Sequence, residues 1–114
     1  MLIQKLSEFE KEFKYLCKKY PSLEEDFRTF EKWLKVNPRM HIRIQGLGNE
    51  VVWEFYKVKK FRCTSISGQS QQSGIRIIYR YLEEEEKIEL TYIEMYHKNQ
   101  KSNHDIERIK AAFS

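Results

Sequence analysis

Apolar residues in the first third of the chain recur at helical spacing. Phe9, Phe13, Leu16 and Tyr20 fall four, three and four positions apart, and Glu8, Lys11, Lys14 and Lys18 lie off that stripe. Leu23, Phe27, Phe30 and Leu34 repeat the pattern, and Pro21 separates the two runs. Ser7 with Glu10, and Ser22 with Glu25, have the spacing of capping boxes. The pattern predicts a brief strand over residues 2–6, a helix from Ser7 to Tyr20, and a second helix that stops at Asn37-Pro38. Two such helices form an αα-hairpin whose aromatic residues are core.

Beyond Pro38 the period shifts toward two, and β-branched and aromatic residues dominate three runs: Val51 to Phe61, Ile75 to Leu82, and Ile88 to Tyr96. Gln45 to Glu50 is rich in turn residues, Ser67 to Gly74 is too long for a tight hairpin, and Glu83 to Glu86 reads as a solvated acidic turn. Ser102-Asn103-His104-Asp105 then leads into Ile106, Ile109, Ala112 and Phe113, an amphipathic C-terminal helix. Helices first, then an antiparallel meander, then one helix indicate an α+β fold: a helical hairpin packed on a small antiparallel β-sheet, with the other face of the sheet left partly open.

The 114 residues, 40% hydrophobic, leave room for one domain with a single core, spanning residues 1–114. No apolar run reaches 18 residues, and the stretch beginning Met1-Leu2-Ile3 lacks a secretory h-region, so a cytoplasmic protein without a membrane span is expected. Cys17 and Cys63 form neither a CxxC pair nor a cluster at zinc spacing; a disulfide framework and a structural metal are not indicated, and Cys17 reads as a small core residue. A pI near 9.0 favours an anionic partner: nucleic acid, a lipid surface or an acidic protein.

That positive charge is concentrated. Between Val51 and Arg80 stand Lys57, Lys59, Lys60, Arg62, Arg76 and Arg80 against Glu54 alone, a net +5 where the whole chain carries +4. Alternation along a strand gives Lys57, Lys59 and Phe61 one face and Tyr56, Val58 and Lys60 the other. Two ammonium groups side by side are tolerated when solvent screens them, as on a lysine-protected edge strand, or when an anion such as phosphate sits between them. Tyr79 and Tyr81 share a face with Ile75 and Ile77 and are assigned to packing. His41, in an irregular segment, carries little signal.

Read together, the opening strand and hairpin (Phe9-Glu10-Lys11-Glu12-Phe13-Lys14, then Tyr20-Pro21-Ser22-Leu23), Tyr56-Lys57-Val58-Lys59, Gly74-Ile75-Arg76-Ile77-Ile78-Tyr79 and Ile93-Glu94-Met95-Tyr96-His97-Lys98 resemble the RelE/ParE superfamily of toxin-antitoxin modules, in its ribonuclease branch. The resemblance implies a small cytoplasmic toxin that cuts mRNA at the ribosome without metal or cofactor, neutralised by a cognate antitoxin in a hetero-oligomer. By the same resemblance Lys57 and Lys59 match the lysine pair of the RelE-type strand, Arg76 the arginine of its Gly-x-Arg strand, and Lys98 a basic position closing the last strand. Ser102-Asn103-His104 is similar to the histidine-bearing segment of YafQ-like relatives. The C-terminal tyrosine of the RelE type has no equivalent here, and the loop from Ser67 to Gly74 is longer.

RNA carries its own nucleophile, so cleavage needs a base for the 2′-hydroxyl, positive charge for the phosphorane and an acid for the departing 5′-oxygen. Lys57 or Lys59 serves as base if neighbouring cations depress its pKa. Arg76 suits the non-bridging oxygens. His97, Lys98 and His104 are the acid candidates, with His104 at a helix start better suited to be a neutral base. Lys60, Arg62, Arg80 and Lys101 are candidate RNA contacts, and Tyr96 a candidate stacking ring. The alternatives are a ParE-like module that inhibits a topoisomerase by contact, and a degenerate relative that only binds an antitoxin.

Overall fold

The computed structural model describes residues 1–45, 53–101 and 103–111. In chain order these form β1 (Leu2–Lys5), α1 (Ser7–Lys19), α2 (Leu23–Val36), β2 (Ile42–Arg43), β3 (Glu54–Val58), α3 (Thr64–Ser67), β4 (Ile75–Glu84), β5 (Lys87–His97) and α4 (Ile106–Ala111). The fold is α+β, with the helical hairpin and the three main strands where the periodicity puts them. Val51, Val52, most of the turn-rich segment, Ser102, Ala112 and Phe113 lie outside the described residues. No helix of the described residues is long and apolar enough to cross a membrane.

One five-stranded sheet has the order β1-β5-β4-β3-β2. The meander β3-β4-β5 is antiparallel as expected, but β1 lies parallel to β5, Leu2 opposite Glu89 and Lys5 opposite Tyr92, so the sheet is mixed. This pairing joins opposite ends of the chain, and local periodicity carries no information about it. The two-residue β2, also unforeseen, forms the other edge beside Tyr56 and Lys57.

The hairpin covers one face of the sheet. Phe9, Leu16, Leu23, Phe27 and Leu34 are buried against Val58, Ile77, Tyr79, Leu90 and Tyr92, and the Phe9 and Phe27 rings each lie 5.1 Å from the Tyr92 ring. On the opposite face α4 packs over part of the sheet, burying Ile109 with Phe55, Ile78, Ile93 and Tyr96, while Lys57, Lys59 and Arg76 keep some exposure, so that face is partly open as expected. A strand with apolar residues on both faces needs cover on both, and β4 and β5 are such strands.

A β-bulge in β5 decides which residues reach the α4 side. Ile78 opposes Glu94 but Tyr79 opposes Tyr92, which leaves Ile93 without an opposite number. Before the bulge Leu90 and Tyr92 face the hairpin; after it Met95 does, while Ile93 and Tyr96 join the second cluster. Without that extra residue Glu94 and Tyr96 would share a face with Tyr92.

Several local expectations are corrected. Neither capping box forms: α1 is preceded by Leu6 with no side-chain cap, and the Ser22 hydroxyl donates to Asp26 Oδ2 while accepting from the Ser65 N–H. Tertiary contact with α3 thus outcompetes the local cap. Phe61 does not share the face of Lys57 and Lys59; the ladder of β3 ends at Val58, alternation lapses, and Phe61 turns into the hairpin core with Tyr56 and Val58. At Gly74 φ is +85°, and an added Cβ would stand 2.8 Å from His97 Nε2, so both backbone and space require glycine there.

Candidate functional site

β3, β4 and β5 bring three rows of side chains to the α4 face. Lys57, Ile78 and Glu94 are cross-strand neighbours, as are Arg76 and Tyr96 in the next row. Lys59 follows one step beyond the ladder, where its carbonyl accepts a hydrogen bond from Arg76 Nη1 at 3.1 Å. Lys57, Lys59 and Arg76 are therefore gathered, as expected, at one end of the sheet. Among the described residues none of the three makes a salt bridge, whereas the neighbouring cations Lys101 and Arg108 do.

The segment between β5 and α4 closes over this end. Lys57 Nζ donates to Asn103 Oδ1 at 2.9 Å and lies 5.9 Å from the Tyr96 ring centre. Burial first, then Lys59 and Arg76, push the Lys57 ammonium below its ordinary pKa, with Glu94 opposing. His104 is also held low, by burial first and then by Lys57, with smaller pushes from Lys101 and Lys59 and an opposing pull from Glu94. Among the described residues its Nδ1 has no hydrogen-bond partner, and neither does the buried Tyr96 hydroxyl. Burial, Glu94 and the opposing Arg76 leave Tyr96 pushed up to about 12, a neutral donor at any ordinary pH.

Glu94 is the residue the sequence reading missed. Fully buried, it pairs with Lys101, accepts the Asp105 N–H at 3.2 Å and lies 3.5 Å from Arg108 Nη1. Arg108 continues to Glu12, at 2.8 Å and 3.0 Å, and to Glu8 at 3.1 Å, tying α4 to α1. Asp105 Oδ1 accepts the Arg108 N–H at 3.1 Å and caps the helix. Glu94 thus anchors both ends of the stretch that carries Asn103 and His104. One signal was available: a lone carboxylate in the apolar run from Leu90 to Tyr96 has to be paired if that run is buried.

Other candidates lie apart or are otherwise engaged. His97 is on the hairpin side: its Nδ1 accepts the Asn99 N–H at 3.1 Å, so Nε2 carries the proton and donates to the Ser73 carbonyl at 3.0 Å. With both nitrogens occupied it holds the β4–β5 junction. Lys98 is exposed at the same junction, its N–H donating to the Gly74 carbonyl at 2.9 Å. Tyr96 is not an exposed stacking ring; it is 3% accessible and lies beneath Lys57 and Lys101. Lys101 is spent on Glu94. Arg80 shares the face of Arg76 but stacks 4.2 Å over the Trp53 ring, farther along β4. Lys60 and Arg62 line a groove beside α2.

The charge balance of His104 fixes a pH dependence. Its folded pKa lies below the unfolded value of 6.5, so the unfolded chain binds more protons as pH drops through that value. The stability that a neutral His104 contributes is present above 6.5 and is lost as pH falls toward the folded pKa. His41, lowered by burial, acts with the same sign. Urea midpoints measured from about pH 7 to pH 5 are expected to fall more gently for His104→Gln than for the unaltered protein. Equal slopes would remove His104 from the neighbourhood of Lys57, Lys59 and Lys101.

Among the described residues, positive charge without salt-bridge partners, a lysine and a histidine whose pKa values are both lowered, and unpartnered hydroxyl and imidazole atoms make this end of the sheet fit for an anion that also presents a proton to be moved. A search against models of known protein families matches none of them to this chain.

Proposed function

We propose that the protein is the toxin of a toxin-antitoxin module, a metal-independent endoribonuclease that cuts mRNA at the ribosome in the cytoplasm. The single observation that carries the chemistry is the row of Lys57, Lys59 and Arg76 with His104 beside it, its N–H and Lys57 Nζ both donating to Asn103 Oδ1. Neutral His104 removes the proton of the 2′-hydroxyl, and that oxygen attacks the adjacent phosphorus. The bond from phosphorus to the 5′-oxygen breaks, leaving a 2′,3′-cyclic phosphate on one fragment. Lys57 or Lys59, as ammonium, gives a proton to the departing 5′-oxygen. Arg76 holds the non-bridging oxygens through its fork of N–H donors. The ribosome as the place of action and the cognate antitoxin as partner rest on the sequence resemblance. An acidic antitoxin segment suits the same surface, since a field that attracts phosphate attracts carboxylates.

The test is induction of the protein in a growing host, with mRNA 5′ ends mapped across coding regions. New in-frame ends, accompanied by growth arrest, are the expected result. Arrest with DNA damage and no new ends would replace this reading with a ParE-like inhibitor of a topoisomerase.

A further inference from the structure

On the hairpin side of the same sheet end lies a groove of about 520 Å³ between α2, from Asp26 to Val36, and the segment following β3. We propose that this groove holds bases of single-stranded RNA flanking the scissile phosphate, with the backbone crossing the sheet edge at residues 59–62. The inference rests on the ribonuclease reading above and names where its substrate continues.

Two features of the edge favour this path. β2 pairs with β3 only at Tyr56 and Lys57, so among the described residues none forms a ladder strand outside residues 59–62. Lys59 belongs to the cationic row, while Lys60 and Arg62 line the groove, so positive side chains run from one face to the other over at most about 10 Å of chain. A polyanion bound at the row is led round that edge.

The groove itself has the chemistry of a base platform. Trp33 is 67% exposed on its wall, and the rings of Phe61 and His41 stand 5.5 Å and 5.6 Å from that of Phe30 behind it. Gln69 and Gln71 supply amides, able to donate to and accept from base edges, and Gln69 also fixes Arg62 at 3.0 Å. The carboxylate on the rim is already occupied: Asp26 accepts from Ser22, from the Thr64 N–H and from the Thr64 hydroxyl. Aromatic faces, cations and amides in one recess are the combination that binds single strands with little sequence preference. An apolar protein segment is the competing occupant; it accounts for Trp33 but gives Lys60 and Arg62 no role.

The probe is a mixed-sequence RNA 12-mer, fully 2′-O-methylated so that it lacks the attacking hydroxyl. The chain has two tryptophans, and Trp53→Phe leaves Trp33 as the only one to report. Saturable quenching of Trp33 emission is expected. Read instead by the anisotropy of a fluorescein-labelled 12-mer, Trp33→Ala should weaken binding about tenfold, with Trp33→Phe restoring most of it, and Arg62→Gln should flatten the log–log salt slope by about 0.7. Trp33 is exposed enough for these variants to fold, which an unchanged urea midpoint verifies. Binding without Trp33 quenching, alongside intact mRNA cleavage, would overturn the groove and spare the ribonuclease reading. Absence of both RNA binding and cleavage would overturn the two together. A dimer in the unaltered protein that Trp33→Asp dissolves would assign the groove to a second copy of the chain instead.

Discussion

Arg76→Ala is expected to lower mRNA cleavage by about a hundred- to a thousandfold, the usual loss when one preorganised donor is removed from a developing oxyanion. The side chain makes one hydrogen bond in the free protein, to the Lys59 carbonyl, and no salt bridge among the described residues, so it is available to a phosphate. Its loss should also let Lys57 keep its proton more readily, since Arg76 is one of the charges that depress it. Folding should change little, because that single neutral acceptor is on an exposed edge. Arg76→Lys keeps the charge without the fork and should fall between the two. Rates of 5′-end appearance, compared with urea midpoints on the same preparations, separate lost chemistry from lost structure. Full cleavage by Arg76→Ala would remove the arginine from the site.

Glu94→Ala should cost about 3 kcal/mol of folding stability, the lower part of the range for breaking a buried ion pair. The lower part applies because the partners have other recourse: Lys101 is partly exposed and can swing into solvent, and Arg108 keeps Glu12 and Glu8. What has no substitute is the acceptor for the Asp105 N–H and the anchor between β5 and α4. The stretch from residue 101 to 111 should then lose hydrogen-exchange protection ahead of the sheet. Because Glu94 pulls the Lys57 and His104 pKa values upward, its removal should also drive both further down. A loss of less than about 1 kcal/mol, the net worth of an ordinary hydrogen bond, would mean that Glu94 is not the anchor.

Much of this protein was written in its local patterns. Stripes at three and four positions placed α1 and α2, alternation placed β3 and β4 and set Tyr79 and Tyr81 into the core, and the cation count between Val51 and Arg80 marked the end of the sheet where Lys57, Lys59 and Arg76 meet. Local signals suffice there because each depends on neighbours within a turn or two of the same chain.

What tertiary structure alone decided involves partners far apart in sequence. The parallel pairing of β1 with β5, the turn of Phe61 away from the lysine face, and the burial of His97 between Ser73 and Asn99 depend on contacts that no window of residues contains. The bulge at Ile93 matters most. A single extra residue reverses the facing of every side chain after it, carrying Glu94 and Tyr96 to the side where α4, Asn103 and His104 can close on the cations. Periodicity reports which residues share a face within one strand; which face that is, and what covers it, is set by the free energy of packing the whole sheet.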